Sequence, residues 1–258
     1  MTSDPAEAAD DPQADGHAAY LREHYERLGD QSNDFRNNNL IELVGAMVEG
    51  PDVLDIGCGN GALLDRLSRT GAGRLVGVEP SEGLIALARR LHPHLEIVRG
   101  TGEAIADIDG RFDTVTMIDV LEHIEDDRGQ LRLIHRRLKP GGQLIVLVPA
   151  HPVLFGPRDA LQGHYRRYTR AELVGKLAET GFAVDAVRSW NAIAWLPMLV
   201  YGRWLGKTGG DGLRSSGGKS PLQRAGVRLL DAWYRRVENR LSFGFGLSLI
   251  CTARPLAR

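Results

Sequence analysis

The sequence predicts an α/β fold with a mostly parallel sheet and helices on both of its faces. Short β-rich runs alternate with stretches of helical periodicity, which is typical of βαβ units. The run at 143–149 is almost entirely apolar, as expected for a strand buried on both faces. A loop with three glycines at 57–61 follows the first run, where a strand turns sharply into a helix.

The strands and helices can be assigned in chain order from these patterns. Strands are predicted at 53–56, 75–79, 95–98, 112–118, 143–149, 182–189 and 247–253. Helices are predicted at 18–28, 40–48, 61–69, 82–91, 127–138 and 170–180. Lys-Pro-Gly-Gly at 139–142 predicts a helix stop and a turn. Residues 1–16 are expected to form a disordered tail and 17–254 a single domain, because only the tail lacks large apolar residues.

The segment 190–244, between the last two strands, is much longer than a hairpin loop and predicts a helical insertion that caps the sheet. A basic amphipathic helix is expected at 221–241. Three roles stay open for the insertion: packing onto the sheet, an apolar substrate pocket, or contact with a membrane surface. Its aromatic residues are Trp190, Trp195, Tyr201, Trp204 and Trp233.

Composition excludes several classes of protein. Two cysteines, Cys58 and Cys251, cannot form a disulfide framework or a four-thiolate zinc site, and they favour a reducing, cytoplasmic setting. Neither a signal peptide nor a membrane-spanning run is expected. The net charge is −1, but residues 1–50 carry −8 and residues 188–258 carry +9. The favoured interpretation is that the arginines of the basic end are solvated on helix faces. The alternatives are that the two ends attract each other or that the basic end meets an anionic partner.

Nucleic acid is not an expected partner, because the basic residues collect at one end of the chain and do not follow a groove. No metal site is expected either. The acidic residues near 122–127 are interpreted as favourable charges at a helix N-terminus. The sequence leaves the oligomeric state open.

The segment V-L-D-I-G-C-G-N-G at 53–61 carries the clearest functional signal. Its G-x-G-x-G spacing differs from the G-x-G-x-x-G of dinucleotide-binding loops, which place a pyrophosphate at a helix N-terminus. Asp55 precedes the first glycine by two residues, and a carboxylate there suits a ligand with an ammonium or sulfonium group. Glu79 ends the next strand, where an acidic residue suits two ribose hydroxyls.

This combination, D-I-G-C-G-N-G followed by V-G-V-E, resembles the class I S-adenosylmethionine-dependent methyltransferases. The resemblance implies a Rossmann-like seven-stranded sheet and covers about 40–190 and 245–254. Further landmarks are G-T-G-E at 100–103, the run at 112–124 and L-K-P-G-G at 138–142. The G-T-x-E and V-L-E-H-I forms are similar to the ubiquinone-type O-methyltransferase branch.

The resemblance implies S-adenosylmethionine as cofactor and S-adenosylhomocysteine as product. Asp55 would support the methionine ammonium, Gly57 and Gly59 would pass under the methionine and ribose, and Glu79 would bind the ribose hydroxyls. Thr101 stands where many relatives have an Asp that accepts from the adenine amino group. The other implied cofactor residues are Ser81, Gly102 and Glu103 near the ribose or adenine, Ile118 and Asp119 beside the cofactor, and Arg36 at the methionine carboxylate.

The loop after the fifth strand is the predicted substrate wall, because ligands of open α/β sheets bind beyond the carboxyl ends of the strands. Its candidate substrate-binding residues are Tyr165, Arg166, Arg167 and Tyr168. The candidate proton acceptors are His164, His151 and His123, with ordinary packing as the alternative for each.

The predicted reaction is methyl transfer to O, N or C of a small, lipophilic or anionic metabolite. The alternative is a cyclase, or another non-methylating enzyme, that holds the same cofactor.

Overall fold

The computed structural model describes residues 34–71, 73–195 and 220–256. The predicted tail, the predicted helix at 18–28 and two aromatics of the insertion, Tyr201 and Trp204, lie outside these residues.

The described chain forms a seven-stranded sheet with the order β3-β2-β1-β4-β5-β7-β6. The first five strands run parallel, and β7 lies antiparallel between β5 and β6. This confirms the predicted, mostly parallel, Rossmann-like sheet. The strands are β1 Val53–Ile56, β2 Leu75–Glu79, β3 Glu96–Arg99, β4 Phe112–Ile118, β5 Leu138–Pro149, β6 Phe182–Trp190 and β7 Ser248–Pro255.

Helices connect the strands and cover both faces of the sheet. They are α1 Phe35–Gly45, α2 Ala62–Ser68, α3 Glu82–Leu91, α4 Asp127–Arg137, α5 Pro157–Leu161, α6 Arg170–Glu179 and α7 Pro221–Trp233. A π-helical turn, Tyr234–Glu238, continues α7, and 3₁₀ turns occur at Gly102–Asp107, Leu121–His123 and Pro152–Leu154. A capping box is present at the start of α6, with Thr169 and Glu172 bonded to each other's backbone N–H groups.

Strand β5 shows why both faces are apolar. Leu144, Val146 and Val148 pack on one face with α4 and α6, while Ile145 and Leu147 pack on the other face with α1 and α2. Successive side chains of a strand point to opposite sides, so a strand between two helical layers needs apolar residues at every position.

Two predicted starting residues were wrong by five positions each. β5 begins at Leu138 and not at 143, because Leu138 pairs with Phe112 before the register shifts to Thr114 and Gln143. The residues 139–142 therefore form an irregularity within the strand. Helix α1 begins at Phe35 and not at 40, because the Asp34 carboxylate accepts from the N–H groups of the first turn.

The π-helical turn of the insertion packs against the end of β6. Trp190 is fully buried, and its indole N–H donates to Asn239 Oδ1 at 3.2 Å. Tyr234, in the π-helical turn, packs 5.3 Å from the Trp190 ring. Of the three roles left open, packing is the one that these residues perform.

Candidate cofactor and acceptor site

The carboxyl ends of β1, β2 and β4 meet at one edge of the sheet, and the glycine loop lies there. The N–H groups of Gly57 and Cys58 donate to Val78 O at 2.8 and 3.1 Å, which ties the loop to β2. Gly57 has a φ of +72°, and a Cβ there would lie 2.3 Å from Val120 Cγ2. The first glycine is therefore required by close packing against the segment after β4.

Gly59 differs from Gly57 because it faces open space. Its φ is +57°, and a Cβ built on it would meet no protein atom within 4 Å. Its N–H donates to Glu79 Oε2 at 3.0 Å, and the N–H of Ser81 donates to Glu79 Oε1 at 2.9 Å. The Glu79 carboxylate is thus held by one backbone donor on each oxygen, beside an open surface of the loop.

Glu79 is only 4% exposed, and burial raises its pKa, although the two N–H donors act against this shift. Each carboxylate oxygen has two acceptor sites. One on each oxygen remains after the Gly59 and Ser81 contacts, so the side chain can accept two further hydrogen bonds from a ligand.

Asp55 lies in β1, just below the loop, and is 3% exposed. Burial raises the pKa of its carboxyl to about 7, against the effect of a 2.7 Å hydrogen bond donated by Thr116 Oγ1. The charge on Glu79 raises it further. A buried carboxyl of this kind is stabilised in its charged form by a nearby cation.

The residues predicted near the adenine have different surroundings. Gly102 is buried, and a Cβ there would lie 2.5 Å from Gln130 Oε1, so the packing of α4 explains this glycine. Thr101 and Glu103 are both exposed. Ser81 caps α3, its Oγ accepting from Leu84 N at 3.4 Å. These four residues flank the ends of β2 and β3.

Asp119 directly follows β4 and has a φ of +51°, an unusual conformation for a residue other than glycine. Its side chain is exposed, and its N–H donates to Leu147 O at 3.0 Å. Ile118 is half-buried and packs toward α1 and α2. Both residues lie at the same sheet edge as the glycine loop.

Arg36 stacks on the insertion. Its guanidinium lies 5.1 Å from the Trp190 ring centroid, and its buried Nε has no hydrogen-bond partner among the described residues. A buried, unpaired cationic donor fits an anionic ligand group such as a carboxylate.

Three of the four residues predicted to bind substrate in the loop after β5 contact buried partners within the protein instead. Tyr168 is 1% exposed, and its hydroxyl donates to Asp127 Oδ2 at 2.9 Å, so it is a core residue. Arg166 pairs with the same carboxylate at 2.7 Å. Arg167 Nε donates to Asp159 Oδ1 at 2.7 Å, and its side chain is 9% exposed. These three residues attach the loop to α4 and α5, because each meets a buried carboxylate that sequence spacing did not reveal.

Tyr165 is the member of that group that stays 54% exposed. Its backbone N–H donates to Glu122 O at 2.8 Å, which joins the loop to the 3₁₀ turn after β4. Two of the predicted proton acceptors meet at this junction. The rings of His123 and His164 lie edge to face with centroids 4.6 Å apart.

His164 is positioned by Asp159. Its Nδ1 lies 3.1 Å from Asp159 Oδ1, which also accepts from Arg167, while Asp159 Oδ2 accepts from Gly156 N. Because Nδ1 faces a carboxylate, we assign the proton to that nitrogen, which leaves Nε2 as an acceptor.

Glu122, which the sequence analysis interpreted as a favourable charge at a helix N-terminus, is a further candidate site residue. It is 1% exposed, and burial, followed by the charge on Asp119, raises its pKa well above the usual range. Its Oε2 has no hydrogen-bond partner among the described residues. The V-L-E-H-I motif contained Glu122, but only the fold shows that its carboxyl is buried beside two imidazoles.

His151, the third predicted proton acceptor, contacts a different part of the chain. Its Nε2 lies 2.9 Å from Gly246 O, and its ring packs 6.2 Å from that of Trp195. It connects the loop to the segment before β7 and is not brought together with His123 and His164.

A groove between α1, α2 and α7 is lined by charges of both signs, including Arg66, Arg228 and Asp65. On α7, Leu222 and Leu229 are 83% and 74% exposed. Neither leucine is among the residues that line the groove. No helix within the described ranges is long and apolar enough to cross a membrane.

A family model described as a methyltransferase domain matches residues 18–187, well over half of the chain. The chain belongs to this family and is a class I S-adenosylmethionine-dependent methyltransferase, with the glycine loop and the sheet of that class.

The chain is 37% identical over 120 residues to the ubiquinone biosynthesis O-methyltransferase of Pseudomonas aeruginosa, covering 44% of this chain and 50% of that protein. It thus spans about half the length of the curated relatives it matches.

Two solved structures share the fold at low identity. Magnesium protoporphyrin IX methyltransferase of Synechocystis, with bound S-adenosylmethionine, has 22% identity and a TM-score of 0.52 over 70% of this chain and 91% of that one. The [4+2]-cyclase SpnF has 20% identity and a TM-score of 0.53 over 86% and 82%.

Proposed function

We propose that this protein transfers the methyl group of S-adenosylmethionine to a small-molecule acceptor and releases S-adenosylhomocysteine. The observation that carries the proposal is the pairing of the open Gly59 surface with the Glu79 carboxylate, which keeps an acceptor site on each oxygen. These two acceptor sites match a ribose, whose two hydroxyls can each donate one hydrogen bond. Family membership supports the same cofactor.

The residues at the sheet edge would hold the cofactor through distinct interactions. Glu79 would accept from the ribose hydroxyls, and Asp55 would stabilise the positive charge of the methionine portion. Arg36 would donate to its carboxylate from the unpaired Nε. Ser81, Thr101, Gly102 and Glu103 would flank the adenine, and Ile118 and Asp119 would lie beside the methionine end.

The sulfonium of the bound cofactor supplies an electrophilic methyl group. The protein's contribution is to align the acceptor with that group and to exclude water. The junction between the Leu121–His123 turn and the loop after β5 is the proposed acceptor side, because it lies beyond the same strand ends. Tyr165 is its exposed aromatic, and His123 and His164 are the proposed groups that contact an acceptor's polar atom there. His151, whose Nε2 lies at Gly246 O, does not belong to this junction.

The relatives' role in ubiquinone biosynthesis favours a hydroxyl-bearing, lipophilic acceptor. The exposed leucines of α7 are consistent with an acceptor that comes from a membrane. The arginines of α7 are consistent with an anionic acceptor. The cyclase alternative has weaker support, since the structure that suggests it shares only the fold.

The first test is calorimetric titration of the purified chain with S-adenosylmethionine and S-adenosylhomocysteine. Micromolar affinity for both is expected. Methyl transfer is then measured by mass spectrometry, with lipophilic hydroxylated compounds before amino compounds. Failure of the folded protein to bind either form would refute the cofactor assignment, whereas binding without methylation of any acceptor would favour the non-methylating alternative.

A further inference from the structure

Five aromatic rings follow one another across the sheet edge, beyond the ends of β5, β7 and β6. The ring of His151 lies 6.2 Å from that of Trp195, which lies 5.6 Å from that of Phe245, measured between centroids. Phe243 follows at 6.1 Å, and Trp233 lies nearly parallel to Phe243 at 6.2 Å. Each separation is within the range of about 4.5–7 Å that aromatic pairs prefer. We call these five rings the aromatic row.

The aromatic row lies at the same edge of the sheet as the proposed acceptor site. β7 runs antiparallel to its neighbours, so Ser248 at its start pairs with Pro149 at the end of β5 and with Trp190 at the end of β6. Ala150 N–H donates to Leu247 O at 2.8 Å, which joins the loop after β5 to the segment before β7. Neighbouring strands are about 4.8 Å apart, so the row extends from about 5 to about 14 Å beyond the end of β4.

The aromatic row presents apolar area to its surroundings. Phe245 is 47% exposed, and Trp195, Phe243 and Trp233 are each partly exposed. Aromatic side chains bury a large apolar area on contact with a ligand, and small-molecule sites are lined mainly by apolar and aromatic residues with a few polar groups. The row therefore has the composition of the apolar part of a ligand site.

Unusual backbone conformations connect the row with the cofactor edge. Within the described ranges, three residues other than glycine have a positive φ, namely Asp119, His151 and Asn191. They lie one or two residues after the ends of β4, β5 and β6. Such conformations cluster at ligand-binding and catalytic segments, and π-helical turns such as Tyr234–Glu238, next to Trp233, are also frequent at functional sites.

Glu238 holds the part of the row that belongs to the insertion. Its carboxylate is 1% exposed and accepts from the N–H groups of Asn191 and Ile193, each at 3.0 Å. It also accepts from the indole N–H of Trp233 at 3.4 Å. The turn that carries Trp195 and the ring of Trp233 are therefore positioned before any ligand arrives, which lowers the entropic cost of binding.

Resting on the proposed methyl transfer, we propose that the acceptor has an elongated apolar portion that lies along the aromatic row. Its methyl-accepting atom lies at the junction of His123 and His164, and the apolar portion extends from there across the ends of β5, β7 and β6. The acceptor is then a compound with a hydroxyl group at one end and an apolar chain or ring system at least about 10 Å long, which is two strand spacings.

The test measures the binding of n-alkyl gallates, from the ethyl to the octyl ester, to the full-length protein in the presence of S-adenosylhomocysteine. These probes share one hydroxylated ring, differ only in chain length and are used below their critical micelle concentrations. Burial of each methylene strengthens binding about fourfold, so the octyl ester should bind at least about 100-fold more tightly than the ethyl ester. Calorimetry gives the affinities and should show one site per chain.

Two variants assign this gain to the aromatic row. Trp195→Ala and Phe245→Ala should each reduce the gain from ethyl to octyl at least about tenfold, as expected for loss of an aromatic side chain that carries binding energy. Neither should change the affinity for S-adenosylhomocysteine. Leu91→Ala is the matched control, because Leu91 is 43% exposed at the end of α3 and its loss should leave the gain unchanged. Urea unfolding checks that all three variants are folded.

Equal affinity of the wild-type protein for the ethyl and octyl esters would overturn the proposal. A gain that Trp195→Ala and Phe245→Ala leave unchanged would overturn it as well; loss of binding to phosphatidylcholine vesicles in the same variants would then assign the row to a lipid surface. Binding of S-adenosylmethionine without any dependence on chain length would leave the methyl-transfer function standing and overturn the apolar subsite alone. Dependence on chain length without cofactor binding would support the subsite and refute the function.

Discussion

Replacement of Glu79 is the most direct test of the cofactor site. The carboxylate keeps one acceptor site on each oxygen, and the proposal gives both to the ribose. A hydrogen bond to a charged group contributes about 1.5–3 kcal/mol, so Glu79→Ala removes about 3–6 kcal/mol of binding free energy. The dissociation constant of S-adenosylmethionine should rise about 100- to 10⁴-fold.

The same change has a separate effect on stability, which must be measured. Glu79→Ala leaves the N–H groups of Gly59 and Ser81 without their acceptor, at a cost of about 1–3 kcal/mol for each donor that stays buried. Glu79→Gln keeps the shape of the side chain, but its NH₂ group faces one of the two N–H donors. Urea unfolding of both variants gives their free energies, and calorimetry is done only where the variant is folded.

Glu82→Gln is the matched control. Glu82 is exposed in the first turn of α3 and pairs with Arg99 on the surface, so its loss should change neither stability nor affinity measurably. If folded Glu79→Gln and Glu82→Gln bound S-adenosylmethionine as tightly as the wild-type protein, the assignment of Glu79 to the ribose would be refuted.

Three further predictions concern the same edge of the sheet. Asp55 has a folded-state pKa of about 7, above the value near 4 of the unfolded chain, so the free energy of unfolding should fall from pH 4 to pH 7 and level off above. Asp55→Asn should flatten this profile in urea titrations, and an unchanged slope would contradict it. Gly57→Ala places a Cβ 2.3 Å from Val120 and should lower the free energy of unfolding by at least about 2 kcal/mol. Gly59→Ala should lower it only by the roughly 1–2 kcal/mol that a positive φ costs, and it should weaken cofactor binding. Comparable unfolding curves for the two variants would contradict this difference. Tyr168→Phe should lower the melting temperature without changing calorimetric cofactor affinity, because the lost hydrogen bond belongs to the core. An unchanged melting temperature would contradict this structural role.

The parts of the fold that follow from local pattern could be predicted from sequence. β1, β2 and β4 have their predicted bounds because each is a short buried run that ends at a change of composition. The start of β5 was missed because Lys-Pro-Gly-Gly is a strong local turn signal. Its inclusion in the strand depends on Leu138 pairing with Phe112, a contact 26 residues away.

In the candidate site, too, some residues can be predicted from local spacing and others depend on distant contacts. Gly57, Gly59 and Glu79 are recognisable because spacing along the chain places them at adjacent strand ends. Tyr168 looked like a surface aromatic in a polar loop, but its partner Asp127 is 41 residues away. The burial of Glu122 and its approach to His164 likewise depend on where two loops meet, and no local signal in either loop encodes that meeting.

The position of β7 determines when the sheet can be completed during synthesis of the chain. β6 touches the sheet only through β7, which is made 58 residues later and lies between β5 and β6. During synthesis β6 therefore has no strand to pair with, and the edge of β5 stays uncovered, until residues 248–255 have emerged. A ribosome that stalls before this point would leave an apolar edge available to other chains, so we expect nascent chains ending near residue 247 to bind chaperones more than full-length chains do.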